Sequence, residues 1–255
     1  MQPLLLGLIY LMFFLSGAAA LIYQVVWVRS LTLIFGGSHL AVTIVLSIFM
    51  AGLAIGGYTI GQYVDRVKKT LRLYGLLEFG IALFAVIFIG LMQLYPSIYV
   101  PLAQGKDNSH FYLSFIRVVF SVIALIVPTS LMGGTLPVLS KFVSGQRRNL
   151  RTRLSFLYGV NTFGAVLGAM AGGFFFLRFY TVSTTLSIAI LSNTLIGLLA
   201  VLLQDKTAAV LATETSTEHK EDFSAIRVSD PSSPGDLKNV FPLKLVPLGI
   251  GISGF

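Results

Sequence analysis

Six stretches of this chain run for more than twenty residues with almost no charge: 4–28, 39–60, 74–95, 111–139, 154–177 and 182–203. Glu78 and Arg117 are their only charged residues. About 20 helical residues cross a hydrocarbon core of roughly 30 Å, so runs of this length read as membrane-spanning helices. Barrel strands would alternate polar and apolar positions, whereas these runs are apolar on every face. The pattern predicts an all-α, polytopic transmembrane helix bundle of six spans. A further apolar segment starts near Phe241 and reads as the start of a seventh.

The first run has features of a secretory leader. Ala18-Ala19-Ala20 is a small-residue triplet of the kind that follows an h-region. No basic cluster precedes it, however, and the apolar run continues to Val28, which favours a retained span.

The composition supports the bilayer as solvent. Charged residues make up 11% of the 255, against about 25% in an ordinary soluble domain. The formal net charge of +8 suggests nucleic acid until it is located along the chain. Arg66, Lys68, Lys69 and Arg72 lie between spans two and three. Lys141, Arg147, Arg148, Arg151 and Arg153 lie between spans four and five. The opposite connections hold only Arg29, Lys106 and Arg178. This asymmetry follows the positive-inside rule and places the N-terminus in the cytoplasm. Basic groups beside a span also attract anionic lipid, so the partner is a lipid bilayer and not a nucleic acid. The expected location is a bacterial cytoplasmic (inner) membrane.

Three parts follow: a six-span module at 1–203, a polar cytoplasmic linker at 204–240, and the start of a second transmembrane half at 241–255. The linker contains seven acidic and four basic residues and no apolar run, a composition that predicts disorder. LGIGISGF at 248–255 echoes LMFFLSGA at 11–18, as repeated halves of a transporter would.

Ionisable groups inside a span are costly and face the bundle interior or a cavity. Glu78 shares a helix face with Gly75, Ala82 and Ala85, and Arg117 with Ser114, Ser121 and Ala124. With Glu78 near one end of its span and Arg117 nearer the opposite side, the two are not expected to pair. Asn161 lies on a face with Gly164, Gly168 and Gly172, and Gln24 on one with Gly17 and Ala20. Small residues four apart let helices approach closely. Asn161 and Gln24 therefore read either as interhelical hydrogen bonders or as solute contacts.

PTSLMGGTLP at 128–137 interrupts the longest run. A straight helix over 111–139 would be about 43 Å long, more than the hydrocarbon core. Pro128 and Pro137 each remove a backbone donor, and Gly133 and Gly134 soften the segment between them. Thr129, Ser130 and Thr135 are placed to satisfy carbonyls that the prolines leave free. Two readings stay open: a hinge lining a cavity, and a static kink that fits an overlong helix.

Residues 56–69, GGYTIGQYVDRVKK, resemble the loop between spans two and three of the major facilitator superfamily, although Val67 stands where glycine is usual. That resemblance implies a gate latch at Asp65 and Arg66. An ordinary basic loop explains the same residues equally well. Four segments in order resemble the membrane part of the membrane-bound spermidine synthase-like family: SGAAALIYQVVWVRSLTLIFGGS (16–38), FMAGLAIGGYTIGQYVDR (49–66), PTSLMGGTLPVLSK (128–141) and LYGVNTFGAVLGAMAGGFFF (157–176). The resemblance implies one half of a major facilitator-like fold. It also implies a second transmembrane half and a cytoplasmic aminopropyltransferase domain beyond these residues, and a small (poly)amine-type solute.

No catalytic constellation is legible. Gly249, Gly251 and Gly254 satisfy GxGxxG, but without the strand, helix and distal acid that a dinucleotide loop needs. His39, His110 and His219 are scattered, and cysteine is absent, so neither a metal site nor a cofactor is expected. The expected function is a transporter-like half that binds or moves an amine. The alternative is a non-transporting membrane anchor for a synthase domain.

Overall fold

The computed structural model describes residues 3–35, 39–103, 110–144 and 150–204. The linker from 205 on, the segment at 241–255, and Lys106, Arg147, Arg148 and His219 lie outside the described residues. The chain forms helices α1 Pro3–Phe35, α2 His39–Val64, α3 Thr70–Ala103, α4 His110–Ser144 and α5 Leu150–Met170. After α5 come a π-helical stretch, Ala171–Phe176, and a short α6, Leu177–Phe179. The last helix, α7, is the span Val182–Gln204. With α5 to α6 counted as one crossing, six helices are long and apolar enough to span a membrane, and no strand occurs among the described residues. The protein is an all-α integral membrane bundle.

Several helices outlast the apolar runs. α1 continues past Arg29 to Phe35, and α3 begins at Thr70 and passes through Pro96 and Pro101. Hydropathy marks only the hydrocarbon core. Helical hydrogen bonding goes on into the interface, where long polar side chains reach water. α4 likewise runs without a break through Pro128 and Pro137.

The bundle's surface is apolar and much of its polarity is internal. On α3, Leu76, Leu83 and Val86 are exposed while Glu78, Ala82 and Ala85 are buried. A water-soluble helix would show the reverse. Among α1 to α6 the most extensive seams join α2 to α4 and α1 to α5. Both depend on glycine for backbone approach. A Cβ on Gly56 would strike the Ser130 carbonyl, and one on Gly133 the Leu53 carbonyl. In the other seam, Cβ atoms on Gly164 and Gly168 would strike the carbonyls of Phe14 and Ala18, and one on Gly17 that of Asn161. Each seam thus has glycines on both of its helices. α3 meets α7 in the same manner, with a Cβ on Gly75 falling 2.7 Å from Gly197 O.

Two apolar clusters fill the interior. One holds Trp27, Tyr23, Phe88, Leu125 and Ala189, and the other Phe13, Tyr74, Val138, Leu157 and Ile196. Glu78 falls between Leu77 of the second cluster and Ile81 of the first. Ser16 and Asn193 occupy the same level on α1 and α7. The polar centre therefore forms a thin layer between two apolar ones.

Candidate functional site

Glu78 is fully buried on α3. Ser16 Oγ on α1 donates to its Oε1 at 2.6 Å. Its Oε2 is buried and has no hydrogen-bond partner. The Tyr74 hydroxyl, one turn earlier, faces both this carboxyl group and Ser16 and is the nearest donor to it, though without a hydrogen bond of ordinary geometry. An unpaired polar atom in an apolar interior costs about 1–3 kcal/mol, more when charged. The helices converge here because Gly17 and Gly75 bring α1 and α3 close to α5 and α7.

Ser16 forms one wall of a cavity of about 110 Å³. Its other polar lining comes from Thr135 on α4, Asn161 on α5 and Asn193 on α7, and Phe49 and Met132 close the apolar side. Asn193 is buried, with Oδ1 lacking any hydrogen-bond partner. Five of the six spans supply this lining through those residues, and Ile81 of α3 completes it.

Of the residues singled out from the sequence, Asn161 lines this cavity and Glu78 stands behind its Ser16 wall. Gln24 is buried on α1 about two turns further along, outside the lining. Arg117 is elsewhere. Its Nη2 donates to Tyr99 Oη at 2.7 Å, and its guanidinium carbon lies 5.2 Å from the Tyr99 ring centroid. Tyr99 stacks on Tyr95 at 5.1 Å between centroids. Arg117 and Glu78 thus have separate partners. Arg29 lies within α1 and donates to Leu177 O at 3.4 Å, near the end of the crossing formed by α5 to α6.

The proline segment has a packing role. Gly133 seats against α2, and a Cβ on Gly134 would strike Ile60. The hydroxyls bond next to the carbonyls that the prolines free, not to them. Thr129 reaches Leu125 O at 2.7 Å, Ser130 reaches Ile126 O at 2.6 Å, and Thr135 reaches Met132 O at 2.7 Å. The carbonyls that lose their donors belong to Ala124 and Gly133. Gly133 O faces Gly57 of α2, 3.6 Å from where a Cβ would stand.

Asp65 and Arg66 are exposed at the end of α2. The residue that joins this loop to the bundle is Lys141 of α4. Its Nζ donates to the carbonyls of Val64 and Val67 and lies 4.0 Å from Asp65 Oδ1. Side-chain exposure of 85% at Asp65 leaves that ion pair to solvent screening, so the carbonyl cap is the firmer contact. Gln204 falls at the first position of the expected linker. It is instead the last residue of α7, and its Oε1 accepts from Leu71 N at 3.1 Å and Arg72 N at 3.2 Å. It caps the first turn of α3 from another helix.

The place of Ser16, Thr135 and Asn193 in the cavity lining is not legible in the sequence, where Thr135 reads only as a carbonyl partner within α4. Asn193 carried a signal, since an amide in an otherwise apolar span is itself unusual. Ser16 and Thr135 had none beyond their place beside glycines.

A second, larger cavity of about 520 Å³ opens between α1, α3 and α7. Leu33, Phe88, Met92, Tyr95 and Leu186 make it mainly apolar. Comparison with family models, curated proteins and solved structures finds no match. The class therefore follows from the fold alone: a multi-pass helical membrane bundle with a polar layer at its centre.

Proposed function

We propose that this chain is the membrane module of a spermidine synthase-like protein, a transporter-like half that binds or moves a small (poly)amine-type solute. The observation that carries this reading is Glu78, a fully buried carboxyl group held by Ser16 at the wall of a polar cavity. Burial of such a group is costly and is characteristic of ion or solute pathways. In this reading Asn161 contacts solute, Gln24 orders α1, and Arg117 supports the far end of the bundle. Asp65 and Arg66 with Lys141 form the latch, and Pro128, Gly133, Gly134 and Pro137 give α4 its hinge. The N-terminus and the basic connections face the cytoplasm of a bacterial inner membrane. A second transmembrane half completes the pathway. Aminopropyltransferase chemistry, where present, belongs to a further cytoplasmic domain.

The test is uptake of a radiolabelled diamine by proteoliposomes containing the intact protein. Glu78→Gln abolishes uptake if the reading holds, and unchanged uptake removes Glu78 from the pathway. The alternative is a membrane anchor that moves no solute. The small cavity and the seams locked by backbone-to-glycine contact favour it. Absence of flux across a panel of amines, with synthase activity retained in the intact protein, would select the anchor.

A further inference from the structure

Four polar residues line the central cavity; Asn161 brings an amide that can both donate and accept, and the other three each turn an acceptor toward it. A hydroxyl has one proton and two lone pairs. Ser16 commits its proton to Glu78 Oε1 at 2.6 Å, and Thr135 commits its own to Met132 O at 2.7 Å. Both hydroxyl oxygens therefore have only lone pairs left for the cavity. Asn193 adds a buried carbonyl oxygen that nothing in the structure satisfies. All three residues line the same space. Behind Ser16 stands the Glu78 carboxylate, with the Tyr74 hydroxyl on its other side. Arg117, the other charged residue of the apolar runs, is engaged with Tyr99.

Three acceptors backed by a carboxylate call for a ligand with three donors and a positive charge. We infer that the cavity formed by Ser16, Thr135 and Asn193 binds a primary alkylammonium head group, one N–H to each oxygen. The inference deepens the carrier reading above and rests on it for the solute's passage, though not for its binding. An anion could draw only on the two asparagine amides and is repelled by the carboxylate. A quaternary ammonium has the charge but no N–H. A bare alcohol has one donor and no charge.

The remaining walls define what the ammonium is attached to. Phe49, Leu53, Ile81 and Met132 are apolar and line the same cavity. They suit a methylene stem. A volume of about 110 Å³ admits a head group and its first methylenes and is too small for a long polyamine. The remainder of a longer amine would extend out of this half.

The test is isothermal titration calorimetry on the full chain purified in detergent, with three probes: n-butylammonium, butyltrimethylammonium and 1-butanol. Butylammonium is expected to bind saturably, one per chain, with the other two at least tenfold weaker. Asn193→Leu should weaken butylammonium tenfold or more. Asn193→Asp keeps an oxygen in place and adds charge, so it should bind as tightly or more tightly. Size-exclusion chromatography verifies folding, and if Asn193→Leu fails to fold, probe selectivity and Asn193→Asp carry the test. Equal affinity for butyltrimethylammonium, unchanged binding in folded Asn193→Leu, weakened binding in folded Asn193→Asp, or no binding of butylammonium by the folded chain would each overturn the inference. Proteoliposome flux separates it from the carrier reading. Asn193-dependent binding without flux retires the carrier and leaves the ammonium site. Amine flux indifferent to Asn193→Leu retires the site and leaves the carrier.

Discussion

Glu78 and Arg117 pose the same physical problem, a charge-bearing group inside an apolar helix, and the bundle handles them differently. Arg117 is half-buried and sits against Tyr99, which accepts a hydrogen bond from one end of the guanidinium and offers its ring to the charge. Its Nε alone is left buried without a partner. Glu78 is fully buried, holds one donor from Ser16, and keeps one oxygen unpartnered. Aromatic partners largely satisfy the cation, while the carboxylate is left incompletely satisfied beside a cavity. A structural group is matched by its neighbours, whereas a binding group retains capacity for a ligand.

The contrast is broken most severely at Glu78. Glu78→Gln keeps the shape and the Ser16 contact but removes the charge, so radiolabelled amine uptake should fall a hundredfold or more. Its melting temperature in detergent should hold or rise, since an incompletely matched buried charge disappears. A fall in both uptake and stability would make Glu78 structural, like Arg117. Next is Ser16→Ala, which strands Glu78 Oε1. It should cost about 1–3 kcal/mol of stability by chemical denaturation and weaken butylammonium binding about tenfold. Tyr99→Phe removes the acceptor for Arg117 and should cost about 1 kcal/mol, with amine uptake unchanged. The smallest change is Arg117→Lys, which keeps the charge but lessens its contact with the Tyr99 ring. About 0.5 kcal/mol is expected, again with uptake unchanged. Uptake lost in either Tyr99 or Arg117 variant would place that cluster on the solute path and erase the contrast.

The second seam pair is a comparison the sequence made partly visible. The Gly164–Gly168 spacing predicted close helix contact and lies at an interhelical seam, and Gly52–Gly56, with the same spacing, lies at another. Which helix each would meet was not legible, because spacing defines a face and not its partner. Gly57 and Gly61 have the same spacing, yet a Cβ on either would stand 3.6 Å or more from its neighbours. The inward position of Glu78 followed from its small neighbours. Its donor did not, since Ser16 is 62 residues away. Lys141 read as one more basic loop residue, because its role depends on where α4 ends beside α2. Gln204 was assigned to the linker because hydropathy falls there, although α7 continues one residue further to cap α3.

Hydropathy by itself determined the solvent, the number of crossings and the helical class, because lipid leaves no other way to satisfy a spanning backbone. The charge-free runs also showed that any charge within them must turn inward. Tertiary structure decided which oxygens met in the polar layer and which hydroxyl protons were already committed. It also decided that one carboxylate would keep an unpartnered oxygen. Those properties depend on the rotation and depth of each helix against its neighbours, set by glycine-to-carbonyl contacts that no single helix encodes.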